Sequence, residues 1–243
     1  MGDVMSGLKV GCWLVCLLLS FDCSAADFIE WQSSNVQLLG GEQYELGRAK
    51  RQIVSIEHAN TWRYGDFHFF SDITLNDDVG AYAEITPRFS LSRMGLLPAP
   101  GGLIQDTFIA TNFEFGKYGV RRYLYGAGFN LALLDFAYFK VNVLHRNNPQ
   151  LAGTTGQLTL AWKKVFDLGP THLIFEGFAD FAGSEGSAVA NQLLVPRFLL
   201  DLGEPLGTAN RLFVGIEWQY WRNKFGRPGV TESVPQLQIK LQL

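Results

Sequence analysis

The stretch Tyr82-Ala83-Glu84-Ile85-Thr86-Pro87-Arg88-Phe89-Ser90-Leu91 alternates between polar and apolar side chains. Successive side chains of a β-strand point to opposite faces, so the polar residues of this stretch share one face and the apolar residues share the other. A soluble antiparallel sheet with one buried face gives the same pattern. The stretch therefore predicts a strand, and the rest of the chain must decide between a soluble sheet and a membrane barrel.

The same alternation recurs through the chain and predicts twelve strands of about ten residues. We expect them near residues 28–39, 53–58, 65–73, 82–91, 106–115, 121–131, 138–143, 157–163, 173–181, 194–200, 212–220 and 236–243. Gly40-Gly41 is expected to open a loop, Ala59-Asn60-Thr61 to form a turn, and short turns to alternate with longer loops. The fold class predicted is all-β, a transmembrane antiparallel up-and-down β-barrel, with a soluble β-sandwich as the alternative.

The first residues have the features of a secretory signal peptide. Lys9 precedes an apolar run from Val10 to Phe21, and the small residues Ser24-Ala25-Ala26 follow. The run is about 12 residues, short of the roughly 20 that a spanning helix needs, so an N-terminal membrane anchor is the less favoured alternative. We expect a signal peptide over residues 1–25, with cleavage after Ala25 or Ala26, and one barrel domain over residues 26–243.

Cysteine usage and charge exclude several classes of protein. All three cysteines, Cys12, Cys16 and Cys23, lie in the expected signal peptide, so the mature chain has neither a disulfide framework nor a thiol nucleophile. A formal net charge of -3 without a Lys/Arg cluster gives no basic surface for nucleic acid.

Aromatic residues expected near strand ends would form the interfacial girdle of a membrane barrel: Trp31, Tyr123, Trp162, Trp218, Tyr220 and Trp221.

If the apolar face meets lipid, the polar face lines a lumen that carries charges of both signs. Such an interior suits a neutral polar solute. Six residues are predicted to line the lumen in addition to the candidate ligand-binding residues named next: Glu57, Asp66, Asp72, Asn142, Asp180 and Lys240. The candidate ligand-binding residues are Phe70, Tyr82, Glu84, Arg88, Asn112, Glu114, Tyr138, Lys140, Glu176, Phe178, Arg197 and Glu217.

Four aromatic residues share the parity of the charged lumen residues: Phe70, Tyr82, Tyr138 and Phe178. One interpretation is that these rings stack on a flat base while carboxylates and amides bind sugar hydroxyls. The alternative is packing against Arg or into the gaps left by Gly126 and Gly128.

A Pro-Arg-Phe motif occurs twice with the same parity, at Pro87-Arg88-Phe89 and at Pro196-Arg197-Phe198. Proline removes one ladder donor from a strand, so each motif predicts a local bend. We expect the bends to aim both arginines inward, where Glu84, Glu114 and Glu217 are the expected partners.

Catalytic and metal chemistry find little support. The four histidines, His58, His68, His145 and His172, lack ligand spacing, so neither a metal nor another cofactor is expected. A lipid hydrolase would need His58 or His68 to meet Ser55 or Ser71 as base and nucleophile. No nucleophile elbow is present, and we expect the protein not to be an enzyme.

Several segments resemble one family, the Tsx-like nucleoside-specific channels of the outer membrane, including OmpK-type members. The segments are His58-Ala59-Asn60-Thr61-Trp62-Arg63-Tyr64-Gly65-Asp66, Glu84-Ile85-Thr86-Pro87-Arg88-Phe89-Ser90, Tyr123-Leu124-Tyr125-Gly126-Ala127-Gly128-Phe129, Phe175-Glu176-Gly177-Phe178-Ala179-Asp180 and Leu212-Phe213-Val214-Gly215-Ile216-Glu217-Trp218-Gln219-Tyr220-Trp221-Arg222-Asn223-Lys224-Phe225-Gly226.

The resemblance implies a monomeric twelve-stranded barrel in the outer membrane of a Gram-negative bacterium, in contact with lipid and lipopolysaccharide. It also implies passive uptake of nucleosides and deoxynucleosides through a narrow channel, and members of the family serve as phage and colicin receptors. A structural or receptor barrel with a closed lumen, or a channel for another small polar solute, is the alternative. Leu243 departs from the terminal Phe that is usual in such barrels.

Overall fold

The computed structural model describes residues 28–75 and 80–243. The signal peptide expected over residues 1–25 lies outside the described residues. The strands are β1 (Ile29–Glu42), β2 (Lys50–Trp62), β3 (Gly65–Thr74), β4 (Gly80–Ser90), β5 (Ile104–Gly116), β6 (Val120–Leu131), β7 (Tyr138–Asn147), β8 (Thr155–Asp167), β9 (His172–Ala182), β10 (Asn191–Asp201), β11 (Leu212–Arg222) and β12 (Thr231–Gln242).

The strands close into a single antiparallel barrel. Each strand pairs with its sequence neighbours, and β12 returns to β1 with Val36 opposite Leu241. Closure pairs every strand on both sides and leaves no sheet edge, which is what a spanning β-structure requires in lipid. The prediction of a closed, up-and-down, twelve-stranded barrel is confirmed.

Side chains alternate between the two faces of the wall as the sequence predicts. In β12, Leu237 is 63% exposed on the outer face whereas Gln238 is 0% exposed on the inner face. The outer wall forms an apolar band, with exposed residues that include Leu38, Ile109, Val143, Phe198, Ile216, Leu237, Ile239 and Leu241. Apolar side chains on the outside and polar ones on the inside are the reverse of a soluble barrel.

The barrel has two ends, which we call the terminal end, where β1 begins and β12 finishes, and the opposite end. The longest connections, residues 91–103 and 202–211, both lie at the terminal end, so the expected alternation of short turns with longer loops is wrong. Gly40-Gly41 does not open a loop, because β1 continues to Glu42 while paired with both neighbours. Ala59-Asn60-Thr61 likewise belongs to β2, and the turn falls at Arg63 and Tyr64.

Aromatic residues gather near both ends of the wall. At the terminal end, the Trp62 ring lies 5.2 Å from Phe28 and 5.6 Å from Phe89. At the opposite end, the Trp221 and Phe225 rings are 4.5 Å apart. Such rings suit a membrane–water interface. Trp162 and Trp218 are exceptions to the predicted girdle, because each lies next to the middle residue of its strand.

Helical structure is confined to two 3₁₀ turns in the described ranges, Lys117–Gly119 and Lys224–Gly226. Between residues 28 and 243, apart from the undescribed 76–79, no helix is long and apolar enough to cross a membrane.

Candidate functional site

Three aromatic side chains meet inside the barrel. The Phe70 and Phe178 rings lie 6.4 Å apart, although five strands separate β3 from β9 in either direction around the wall. The Tyr82 ring lies 5.9 Å from Phe70. We call Phe70, Tyr82 and Phe178 the aromatic constriction. Its rings extend from opposite walls and narrow the lumen at this level.

Carboxylates and amides surround the aromatic constriction. Tyr82 Oη lies 2.6 Å from Glu84 Oε1 and 2.9 Å from Glu114 Oε2, because these glutamates face each other directly across β4 and β5. Asn112 Nδ2 donates to Glu84 at 2.8 Å, and Arg122 binds Glu114 at 2.6 Å. This level of the lumen therefore offers both hydrogen-bond acceptors and flat apolar faces.

Two further carboxylates are the next inward-facing side chains after the rings, two residues along the strand towards the opposite end. Asp72 follows Phe70 in β3 and accepts a hydrogen bond from Ser55. Asp180 follows Phe178 in β9 and accepts from Thr159 at 2.5 Å and from Gln157 at 3.0 Å. We call Asp72, Glu84 and Asp180 the carboxylate level. Within the described chain, their hydrogen-bond donors are neutral.

Ion pairs cross the lumen from a second group of residues, which we call the ion bridge. Arg197 binds Glu217 on the adjacent strand at 2.6 Å and Glu57 at 2.6 Å, although three strands separate β10 from β2. Lys240 binds Glu176 at 2.6 Å with two strands between them. These contacts tie distant parts of the wall together by charge-assisted hydrogen bonds.

Arg88 is enclosed rather than free in the lumen. Its side chain is 2% exposed, binds both carboxylate oxygens of Asp66, and donates to Asn130 at 2.7 Å. The guanidinium also lies 4.2 Å from the centre of the Phe108 ring. Lys140 reaches the same Asp66 at 3.0 Å. These contacts give Arg88 a structural role in the wall.

Both Pro-Arg-Phe motifs interrupt the ladder to the next strand without shifting its register. Pairing between β4 and β5 stops after Ile85 opposite Phe113 and resumes at Arg88 opposite Ala110, and Thr111 Oγ1 donates to the Pro87 carbonyl at 2.8 Å. At the second motif, pairing between β10 and β11 skips Pro196 in the same way. At the first motif, a neighbouring hydroxyl thus satisfies the Pro87 carbonyl where the ladder is interrupted.

The inward direction of both arginines is confirmed, and so is the pairing of Arg197 with Glu217. The expected pairing of Arg88 with Glu84 or Glu114 is wrong. The physical reason is register, because Asp66 lies directly opposite Arg88 across β3 and β4.

The structure places all the predicted ligand-binding residues on the inner side of the wall. It brings Phe70, Tyr82 and Phe178 together and leaves Tyr138 beside Lys140, at 5.5 Å.

Apolar side chains also fill parts of the lumen, which the sequence analysis does not predict. Two buried groups form there: Ala110 with Leu124 and Leu144, and Ile174 with Leu199 and Phe213. They share the inward parity of the charged residues, which was the available signal. Gly128 leaves no gap for an aromatic ring, because an added Cβ would lie 2.7 Å from Asn142 Oδ1. The open lumen is therefore narrower than strand number alone indicates.

Loop residues fold into the mouth at the opposite end. Tyr44 is buried and its hydroxyl donates to Gln236 at 2.5 Å, while Lys224 binds Glu232. Burial raises the pKa of the Tyr44 hydroxyl, and burial also lowers the pKa of Lys224 although Glu232 opposes that shift. Glu185 reaches Arg146 at 3.7 Å from another loop. These contacts anchor the loops to the inner wall.

The arrangement required for a lipid hydrolase does not form. His58 meets neither Ser55 nor Ser71; its Nδ1 lies 2.8 Å from Ser34 Oγ and its Nε2 lies 3.2 Å from Asn60 Nδ2. His68 lies inside, 6.2 Å from the Phe70 ring. In residues 28–75 and 80–243, no group of three or more His, Cys, Asp or Glu side chains could hold a metal ion.

Comparison with solved structures identifies porins of the same architecture. The KdgM porin superposes with a TM-score of 0.52 and 8% identity, covering 87% of this chain and 99% of that chain. The KdgM porin in complex with disordered oligogalacturonate gives 0.51 and 8%, with the same coverage. The NanC porin gives 0.51 and 9%, covering 86% of this chain and 100% of its own. No family model and no curated protein matches the sequence.

The chain is thus a closed twelve-stranded barrel that resembles the outer-membrane porins of Gram-negative bacteria. At 8–9% identity the likeness establishes the fold and not the solute. What passes the lumen must be argued from the side chains that line it.

Proposed function

We propose that this protein is an outer-membrane channel for passive, substrate-selective diffusion of nucleosides and deoxynucleosides. The observation that carries the proposal is the aromatic constriction, where Phe70, Tyr82 and Phe178 converge within the lumen. Aromatic faces in a wet lumen lose hydrophobic stabilisation unless a flat group covers them. A nucleobase supplies that group without requiring a net charge.

The spacing of the rings supports stacking on both sides of a base. Carbon atoms in contact lie about 3.5 Å apart, so a base between two rings needs about 7 Å between their planes. The Phe70 and Phe178 centroids are 6.4 Å apart and tilted by 38°. A small separation and rotation of the two side chains would therefore admit a base, and the rings would close again after it passes.

Polar groups beside the rings suit the sugar. The carboxyl oxygens of Glu84 and the amide of Asn112 lie on the same side of the wall as Tyr82, and Asn112 already donates to Glu84. Ribose hydroxyls donate and accept, so they can replace these internal hydrogen bonds one for one. Such exchange gives weak binding, which a diffusion channel requires because the solute must also leave.

The structural neighbours do not supply the solute. One KdgM porin structure contains oligogalacturonate, a chain of carboxylate-bearing sugars. The carboxylate level of this chain would repel such a polyanion, because Asp72, Glu84 and Asp180 receive neutral donors. The aromatic constriction favours a neutral, flat solute instead.

Current recordings in planar lipid bilayers test the proposal. We expect adenosine to reduce ion current through the wild type in a concentration-dependent manner, and Phe178→Leu to weaken that block about tenfold, the effect of losing one stacked ring. Phe175→Leu, on the outer wall of the same strand, is the matched control, and adenosine should reduce its current as it does that of the wild type. Equal block of both variants, or no block of the wild type, would contradict nucleoside stacking.

A closed receptor-type barrel is the second candidate. The contact between Phe70 and Phe178 and the bridge from Arg197 to Glu57 both cross the lumen, and they favour a barrel that does not conduct. Such a barrel could still serve phages or colicins through its loops. A folded, heat-modifiable wild type that carries no current, even as Phe178→Leu, would favour this candidate over the channel.

A further inference from the structure

We propose that the lumen conducts cations in preference to anions, and that Asp72, Glu84 and Asp180 set this preference. The inference rests on the proposed channel function but not on the nucleoside. It follows from how the buried charges of the lumen are compensated.

The inward cations of the strands are largely committed to other carboxylates. Arg88 and Lys140 bind Asp66, Arg122 and Arg146 bind Glu114, Lys163 and Lys240 bind Glu176, and Arg197 binds Glu57 and Glu217. Arg51, at the mouth, lies 4.4 Å from the centre of the Tyr44 ring and donates to the Arg48 carbonyl. The inward cations of the strands therefore form their ion pairs with carboxylates outside the carboxylate level.

The carboxylate level has neutral donors among the residues described. Asp72 is bound by Ser55, Glu84 by Tyr82 and Asn112, and Asp180 by Thr159 and Gln157. Hydroxyls and amides orient a carboxylate but do not cancel its charge. The charge is therefore balanced from the lumen itself, by mobile cations or by protons.

Tyr82 adds a second reason to expect positive charge here. Its oxygen lies within hydrogen-bond distance of both Glu84 and Glu114, but a phenol has only one proton to donate. Glu114 is already neutralised by Arg122 and Arg146. The contact to Glu84 is the shorter one, so Glu84 accepts at most a share of one neutral proton donor, and a cation entering the lumen can supply the positive charge that this donor lacks.

The position of these carboxylates makes them effective for selection. Asp72 and Asp180 are each two residues from a ring of the aromatic constriction, on its opposite-end side, and Glu84 is two residues from Tyr82. A narrow path with low-dielectric walls focuses the field of fixed charges. An ion must pass these carboxylates at the point where the rings leave least room for water to screen them.

Reversal potentials under a KCl gradient at pH 8 test this inference. We expect wild-type protein to favour potassium over chloride by roughly tenfold, within the range that focused fixed charge produces. The double variant Glu84→Gln/Asp180→Asn keeps side-chain size and one acceptor oxygen at each position, and its permeability ratio should fall towards unity. Glu30→Gln removes a carboxylate on the half-exposed rim, where Glu30 binds Arg93, and should leave the ratio unchanged.

The outcomes separate the two proposals. Current with no cation preference, or a preference that the double variant retains, overturns the selectivity inference alone. Complete absence of current from the wild type and from Phe178→Leu overturns the channel function, and the selectivity with it. Cation preference without adenosine block keeps the selectivity and removes the nucleoside.

Discussion

The ion bridge and the carboxylate level are two regions of one lumen in which inward-facing carboxylates have different hydrogen-bond donors. In the ion bridge, Glu57 and Glu217 share Arg197, so the negative charge is compensated by a side chain fixed to the wall. In the carboxylate level, Glu84 and Asp180 are held by neutral donors. The charge of the ion bridge is compensated within the protein, whereas the carboxylate level needs a cation or a proton from the lumen.

This difference assigns separate roles to the two regions. A buried ion pair is costly to break because the remaining partner stays buried and uncompensated. The ion bridge joins strands that are not neighbours, so it holds the cross-section of the barrel. The carboxylate level contributes little to that shape and can exchange its partners as solute passes. Mutations should therefore separate stability from selectivity.

Removing the central cation of the ion bridge should have the largest effect. Arg197→Met leaves Glu57 and Glu217 without their shared partner, and we expect a loss of about 3–5 kcal/mol in the free energy of unfolding. Urea titration of the protein in detergent micelles, followed by tryptophan fluorescence, measures that loss. The same variant should widen the lumen and raise single-channel conductance.

The control for this variant is an ion pair outside the lumen. Lys50 binds Glu42 at 2.6 Å, but both side chains are largely exposed, so solvent screens the pair. Lys50→Met should leave the unfolding midpoint unchanged. Equal midpoints for Arg197→Met and Lys50→Met would remove the distinction between the bridge and an ordinary surface pair.

Sequence periodicity was enough to predict the wall but not its internal partners. Alternation in stretches such as Gln236 to Leu243 assigns each side chain to the inner or outer face, because the period of a strand is two. It does not state which residues meet across the lumen. Glu57 and Arg197 are 140 positions apart and meet only because β12 returns to β1 with a particular stagger.

Turn positions limited the prediction in the same way. The β2–β3 turn falls at Arg63 and Tyr64, and Asp66 faces Arg88 in the β3–β4 register, which alternation alone does not set. The turn residues Asn60 and Gly40 suggested other positions, and the ladder extends through both. Continuous pairing in a closed barrel outweighs local turn propensity, since an unpaired strand end in the wall is costly.

Loss of the second cation in the ion bridge should have an intermediate effect. Lys240→Met removes the closest partner of Glu176, but Lys163 remains 3.9 Å away and can move towards it. We expect a loss of about 1.5–3 kcal/mol in the free energy of unfolding, the range for a hydrogen bond to a charged group. The double variant Lys163→Met/Lys240→Met should lose more than the sum of the single variants, because either lysine can substitute for the other. Additive losses in urea titration would show that the two lysines act separately.

The smallest effect on stability is expected in the carboxylate level, where the comparison is sharpest. Glu84→Gln retains an oxygen that accepts from Asn112 or Tyr82 and removes a charge without a cationic partner, so the two consequences oppose each other. We expect a change of less than about 1 kcal/mol in the free energy of unfolding. Glu217→Gln makes the same chemical change beside Arg197 and should cost about 1.5–3 kcal/mol, because it weakens a charge-assisted hydrogen bond. Urea titration of both variants under identical conditions decides the matter. If Glu84→Gln is the more destabilising of the two, then Glu84 is a structural carboxylate with a compensating partner, and the carboxylate level is no different in kind from the ion bridge.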